Sequence, residues 1–300
     1  MPAEPYLREV ADGVYAYVQP DGGWCVSNAG VVSSAGRTAV IDTAATEARA
    51  RALHAAVTSV AAAPDIVVNT HHHGDHTFGN AAFPGATVVA HREARGEMET
   101  RGAALRAVWP EVDWGDLDLV LPSLTFEDRL TVHVADRPLQ LRHVGPAHTT
   151  NDVIGWLPDA RVLFTGDVVM PGCAPFVLMG SLEGTLRALR RLRALEPRTV
   201  VGGHGEVTGP EVFAQTEACL LWTREVAAEA VKSGLSPLEA AREAGPGPYA
   251  GLRDPERLVA NLHRAFQEAA GGVLGAHLPS APVFREMVEY NGGRPLRCLA

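Results

Sequence analysis

Four histidines and an aspartate fall within six consecutive residues, His71-His72-His73-Gly74-Asp75-His76. Imidazole nitrogens and carboxylate oxygens are the donors that hold Zn2+ at about 2.0–2.2 Å. A solvated loop or a few hydrogen-bonded core histidines would not need so many of them directly after an apolar run, Ile66–Val68. If the backbone stays extended, His71 and His73 point to one side and reach one ion, while His72 points away. Gly74 allows a turn that aims Asp75 and His76 at a second ion. The chemistry this implies is water activation: two ions about 3.5–4 Å apart share a water and bring its pKa near neutrality. One ion polarises a carbonyl and holds the developing oxyanion.

The elements that must position this cluster follow from the hydrophobic pattern. Residues 13–19 alternate as a strand, with Asp21-Gly22-Gly23 as a turn; residues 25–32 and 38–41 continue a sheet. An alanine-rich helix is predicted over 45–60, a buried strand over 66–68, another over 86–90 and a helix over 91–108. A second β-rich stretch follows at 130–134, 139–144, 153–157 and 162–164, then an amphipathic helix over 182–195 and a strand over 199–201. After Pro210 the pattern turns helical, at 211–233, 237–244, 255–270 and 283–290, broken by Gly245-Pro246-Gly247-Pro248 and Gly271-Gly272. The organisation is two β/α halves followed by a helical extension.

Composition removes several alternatives. The net charge of −9 opposes a nucleic-acid partner, which needs clustered Lys and Arg. Lys232 is the only lysine, so Schiff-base and P-loop chemistry have almost nowhere to sit. Residues 1–18 carry no apolar leader core, and no apolar run is long enough to span a bilayer. Cys25, Cys173, Cys219 and Cys298 are scattered without a C-x-x-C pair, which points to a reduced, cytoplasmic enzyme without membrane association.

The cluster resembles the H-x-H-x-D-H signature of the metallo-β-lactamase superfamily. Four further segments match that family in order: Val40-Ile41-Asp42, Val144-Gly145-Pro146-Ala147-His148-Thr149, Leu163-Phe164-Thr165-Gly166-Asp167 and Val201-Gly202-Gly203-His204-Gly205. Together they cover roughly residues 10–210. The resemblance implies an α/β fold, a four-layer αββα sandwich with its site at one edge, catalytic over 1–209, with 210–300 as a helical extension serving as lid or dimer contact. It implies one ion on His71, His73 and His148, a second on Asp75, His76 and His204, and Asp167 bridging both, with Asp75 and Asp167 as the catalytic carboxylates. Asp42 would stand behind a ligating histidine and accept its free N–H, and Thr149 and Asp152 would play similar supporting parts. Asp167 places the chain with the glyoxalase II, thioesterase and lactonase branch, because β-lactam-degrading members lack that carboxylate.

The implied function is hydrolysis of an ester or thioester by metal-activated hydroxide, with zinc as the expected metal and iron or manganese as alternatives. The substrate would be a small acyl or thioester molecule, free or on an acyl carrier protein, and the chain would be monomeric or a homodimer. Gly23-Trp24-Cys25-Val26-Ser27-Asn28 and Tyr290-Asn291-Gly292-Gly293-Arg294-Pro295-Leu296 are also similar to segments of cyclase/thioesterases of aromatic polyketide (antibiotic) biosynthesis. A mononuclear iron dioxygenase of the same fold would use only part of the constellation. Cys173 has no basic partner nearby in sequence and reads as a small apolar loop residue rather than a nucleophile. Trp24, Phe176 and Met179 are the candidates for lining a substrate pocket.

Overall fold

A computed structural model describes residues 4–102, 104–116 and 118–300. Among these, twelve strands and eight α-helices follow in the order β1 (Tyr6–Ala11), β2 (Val14–Val18), β3 (Ala29–Ser34), β4 (Arg37–Ile41), α1 (Glu47–Val60), β5 (Ile66–Val68), α2 (Gly74–Thr77), β6 (Thr87–His91), α3 (Arg92–Arg101), β7 (Leu124–Phe126), β8 (Arg129–Val134), β9 (Arg137–His143), β10 (Val153–Leu157), β11 (Val162–Phe164), α4 (Leu182–Arg193), β12 (Thr199–Val201), α5 (Glu211–Ser233), α6 (Pro237–Ala244), α7 (Arg257–Ala269) and α8 (Ser280–Tyr290). One sheet runs β1-β2-β3-β4-β5-β6-β7 and the other β12-β11-β10-β9-β8. Antiparallel hairpins build β1 to β4 and β8 to β11, whereas β4, β5, β6 and β7 pair in parallel, as do β11 and β12.

Period-two alternation decides which face each strand buries. Val14, Ala16 and Val18 of β2, with Ile41 and Val68, meet Leu139, Leu141, Leu157 and Phe164 of the second sheet in the inter-sheet core. The opposite face of the first sheet carries Tyr17, Val31 and Val40 against Leu53 and Val57 of α1. The outer face of the second carries Ile154, Trp156 and Leu163 against Ala188, Leu189 and Leu192 of α4. Both covering helices are capped at their starts, α1 by Thr46 accepting from Arg49 N and α4 by Ser181 accepting from Gly184 N. The result is a four-layer αββα sandwich.

The expected helix over 91–108 is shorter: α3 stops at Arg101, and a 3-10 turn occupies Ala104–Ala107. The helix stops at its C-cap Gly102, where glycine disfavours helix, and no described residue from 102 to 108 is fully buried to extend a helical face. Ala103 within that expected helix lies outside the described residues, as do residues 1–3 and 117. The expected strand over 25–32 begins only at Ala29, because Cys25 sits at φ 61° and Val26 N bonds back to Gly23 O. Strands β1 and β7 carry no alternation that burial would impose, since neither holds a fully buried residue.

Helices α5 to α8 share the largest apolar cluster with residues from the sandwich. Leu220, Leu258, Leu262, Val283 and Met287 pack with Trp24, Trp109, Phe176 and Leu178. Among the described residues, no helix is long and apolar enough to cross a membrane. A chain ending at Gly209 would leave this face of the sandwich bare and is expected to aggregate or to bind an apolar dye strongly. A truncated form that stayed soluble and kept the full-length Tm would contradict this packing.

Candidate metal centre

The candidate ligands lie beyond strand ends, except Asp75 and His76, which the short helix α2 carries. Parallel pairing of β4 with β5 and of β11 with β12 brings the C-terminal ends of these strands to one edge. Asp42 follows β4, His71 and His73 follow β5, Asp167 follows β11 and His204 follows β12, while His148 follows β9 after a loop. Two glycines are required by close approach: a Cβ at Gly203 would lie 1.9 Å from Asp167 Oδ1, and Gly166, at φ +50°, faces Thr70 in the same way.

Asp75 and His76 are turned inward by the short helix α2 rather than by an open turn. His76 N bonds to His73 O, and His76 O accepts from Thr43 Oγ1 at 2.9 Å and Asn69 Nδ2 at 3.0 Å. Asp75 O accepts from Ser27 Oγ at 2.6 Å. Sequence reasoning passed over Ser27, Thr43 and Asn69 as supports; their one signal was position, each next to a strand end or turn that carries the site.

The side chains form two groups whose ligand atoms lie within 4.8 Å of one another: His71, His73, His148 and Asp167, then Asp75, His76 and His204. Asp167 reaches into both. Its Oδ1 is 3.2 Å from His76 Nε2, and its Oδ2 is 3.4 Å from His148 Nε2 and 3.3 Å from His204 Nε2. Asp75 Oδ2 is 3.3 Å from His204 Nε2. His72 turns away and faces Asn151.

The remaining ring nitrogens fix which atoms face inward. His148 Nδ1 meets the Phe176 carbonyl at 2.5 Å, and a carbonyl only accepts, so Nδ1 carries the proton and Nε2 is a bare donor atom. His76 Nδ1 lies 2.9 Å from Asp42 Oδ2, which leaves its Nε2 turned to Asp167. Asp42 is itself fixed by Thr70 N and Thr70 Oγ1, both at 2.7 Å. Thr149 donates through N and Oγ1 to Asp152, at 2.9 and 2.7 Å, pinning the loop that carries His148.

Charge in the cluster is arranged for a cation. Burial, together with neighbouring imidazoles, holds His71 and His73 well below the usual histidine range, and burial brings His148 down to about 4. These three are neutral at pH 7, the form in which imidazole binds metal. For His204 burial acts the same way, but Asp167 and Asp75 outweigh it and push it up to about 9; His76 is raised through Asp167, Asp42 and Asp75 against burial. Burial would raise Asp167, yet His204, His76 and His148 keep it well below the carboxylate range.

The donor set fits two metal ions. Buried His71 Nε2, His76 Nε2 and Asp167 Oδ1 have no hydrogen-bond partner, and His148 Nε2 faces His73 Nδ1 at 2.9 Å. Buried donors left without partners cost about 1–3 kcal/mol each, and a shared cation satisfies them together. Cys173 does not compete as a nucleophile: its thiol is bonded to Gly22 O and burial pushes it up to about 11.

Trp24, Phe176 and Met179 line one cavity above this cluster. Sequence reasoning missed what holds their loop: buried polar residues of α7. Asn261 bonds Pro175 O at 2.7 Å and Val177 N at 2.9 Å, and Arg264 Nη2 bonds Leu178 O at 2.5 Å. Polar residues on the inner face of the predicted helix over 255–270 were the available signal.

Comparison with known proteins agrees with this geometry. The model of the metallo-beta-lactamase superfamily matches residues 22–204. A type 2 metallo-beta-lactamase of Bacteroides fragilis is 27% identical over 224 residues, 70% of this chain and 83% of that protein. A hydroxyacylglutathione hydrolase of Methylococcus capsulatus is 31% identical over 180 residues, and the chain spans 60% of that protein's length and 60% of its own. In fold, the metallo-beta-lactamase family protein TTHA1429 of Thermus thermophilus is similar at a TM-score of 0.68 and 21% identity, covering 88% of this chain and 95% of that one.

Asp167→Asn keeps size and removes the charge facing both histidine groups. If Asp167 contacts the metal, its loss should matter at least as much as that of outer partners, which costs about 10–100-fold in metal affinity, and bound metal is expected to fall by half or more. His72→Ala, outside both groups, should retain the parental metal content by elemental analysis. Equal metal content in both variants would remove Asp167 from the site.

Proposed function

The chain belongs to the metallo-beta-lactamase superfamily, and on that premise we propose that it hydrolyses an ester or thioester with the help of two metal ions, zinc by preference. His71, His73 and His148 would hold one ion, Asp75, His76 and His204 the other, and Asp167 both. The observation that carries this reading is Asp167, whose two oxygens lie within 3.2–3.4 Å of histidines from both groups. A complete second group also argues against the one-metal iron dioxygenase arrangement.

When bound, the two ions supply Lewis acidity and bring a shared water's pKa near neutrality. The chain's own residues do the rest. Asp75 and Asp167, whose Oδ2 atoms each lie 3.3 Å from His204 Nε2, would orient the attacking water and accept its hydrogen bond. Asp42 keeps the His76 ring in one tautomer, and the Phe176 carbonyl does so for His148. The apolar side of the cavity excludes bulk water and strengthens the electrostatics within. Among the relatives reported above, a hydroxyacylglutathione hydrolase supports the thioester over other acyl derivatives.

A second reading is an aromatic polyketide cyclase/thioesterase acting on a carrier-bound chain. The observation that favours it is the size of the cavity, about 780 Å3, which has room to fold a long acyl chain over the cluster. Elemental analysis should find about two metal equivalents, and simple acyl thioesters should yield the linear acid by mass spectrometry. A ring-closed product that has lost water would favour the cyclase. One equivalent of iron with oxygen uptake would overturn both.

A further inference from the structure

An imidazole ligand is aimed by what its second nitrogen bonds, and three rings of the cluster are held in this way. His76 Nδ1 lies 2.9 Å from Asp42 Oδ2, His148 Nδ1 2.5 Å from Phe176 O and His71 Nδ1 3.1 Å from Thr70 Oγ1. His204 has no such support. Its Nδ1 is buried and meets no hydrogen-bond partner among the described residues, while its Nε2 faces Asp75 and Asp167. The ring is therefore aimed by the backbone that carries it, the turn Gly202-Gly203-His204-Gly205 past β12. Three of these four residues are glycine, so the turn has little conformational preference of its own.

Asn28 holds that turn. From just before β3, in the other sheet, its Nδ2 donates to Gly205 O at 2.7 Å and to Gly202 O at 3.1 Å, and its backbone N donates to Gly203 O at 2.6 Å. Three of the turn's four carbonyls thus end on one buried residue. The amide oxygen is used as well. Oδ1 accepts from Gln19 N at 3.2 Å, and Gln19 is itself fixed, donating to Ser27 O at 2.6 Å and accepting from Arg49 Nη1 at 2.6 Å. Only a carboxamide carries two donors and an acceptor on so short a side chain. An aspartate would set bare oxygens against two carbonyl oxygens. The preceding residue adds to the pattern: Ser27 Oγ donates to Asp75 O at 2.6 Å, so Ser27-Asn28 holds two of the three members of the group Asp75, His76 and His204.

We propose, resting on the two-metal reading above, that Asn28 is a positioning residue: it acts through His204, and by clamping the turn it sets how tightly the ion shared by Asp75, His76 and His204 is held. The polar atoms of the Asn28 side chain are all spent on backbone groups. Its effect is therefore confined to that one ion and disappears once the His204 imidazole is gone.

A double-mutant cycle tests this. Zinc is titrated against a chromogenic chelator for the full-length parent, Asn28→Asp, His204→Ala and the double variant, with Tm recorded for each. Asn28→Asp should weaken one of the two zinc affinities by about tenfold or more and leave the other within about threefold. Added to His204→Ala, it should cost less than about twofold further. Val132→Ala, a core change on β8 at the opposite edge of the second sheet from β12, should lower Tm and leave both affinities in place, the pattern a merely structural Asn28 would share. Asn28→Ala, which adds no charge, repeats the cycle where Asn28→Asp does not melt cooperatively. Unchanged affinities, an equal fall in both, a fully additive loss on top of His204→Ala, or failure of both Asn28 variants to fold with zinc present would each overturn the proposal. A parent holding a single ion overturns the two-metal reading, and the same cycle on that ion still decides for or against Asn28. A parent that binds no zinc overturns both.

Discussion

A carboxylate with no cation beside it does not belong in a protein interior, and Asp167 is buried with three imidazoles within 3.4 Å and one oxygen lacking any hydrogen-bond partner. Its position is set on every side. The end of β11 delivers it, Gly203 leaves the space its Oδ1 fills, and Gly166 lets the backbone turn against Thr70. The same Thr70 donates to Asp42, which orients His76, and Thr70 O accepts from Val153 N while His76 faces Asp167, so one polar network joins the two sheets at their shared edge. Such a network offers its oxygens and ring nitrogens together to a dication, and without one His76 and His204, both raised by the carboxylates, carry the balancing charge. The fold can therefore be seen as a scaffold that closes two strand-end clusters around one charge.

The helical part of the chain acts on this site through backbone carbonyls. Asn261 and Arg264 on α7 bind the loop from Pro175 to Leu178, and the carbonyl of Phe176 in that loop fixes the tautomer of His148. Arg257, from the same helix, covers Trp24 and bonds Ala174 O at 3.1 Å. A segment outside the shared family region thus holds the loop that carries Phe176 and, through it, the ring of His148. This explains why the apolar cluster of the tail is continuous with residues of the sandwich instead of forming a core of its own.

Much of this was legible in the residues. Short apolar runs followed at once by His, Asp or Gly-His marked the strand ends, and β5, β10, β11 and β12 fall where the hydrophobic pattern put them. What stayed hidden depends on burial by distant residues. Strand β1 has no alternating pattern because nothing covers it fully, and α3 ends at Gly102, beyond which no fully buried residue carries the helix on to 108. The supports Ser27, Thr43 and Asn69 are ordinary loop polar residues until the fold sets them against the carbonyls of Asp75 and His76. The packing of Trp24 on Trp109 and Phe284 joins positions up to 260 residues apart, a relation no local spacing carries.

The most direct test of this account is anomalous diffraction at the zinc edge from crystals of the protein grown with zinc. The account predicts two peaks about 3.5–4 Å apart, one contacted by His71, His73 and His148, the other by Asp75, His76 and His204, with Asp167 touching both. A single peak, or two peaks with Asp167 bound to neither, would contradict it.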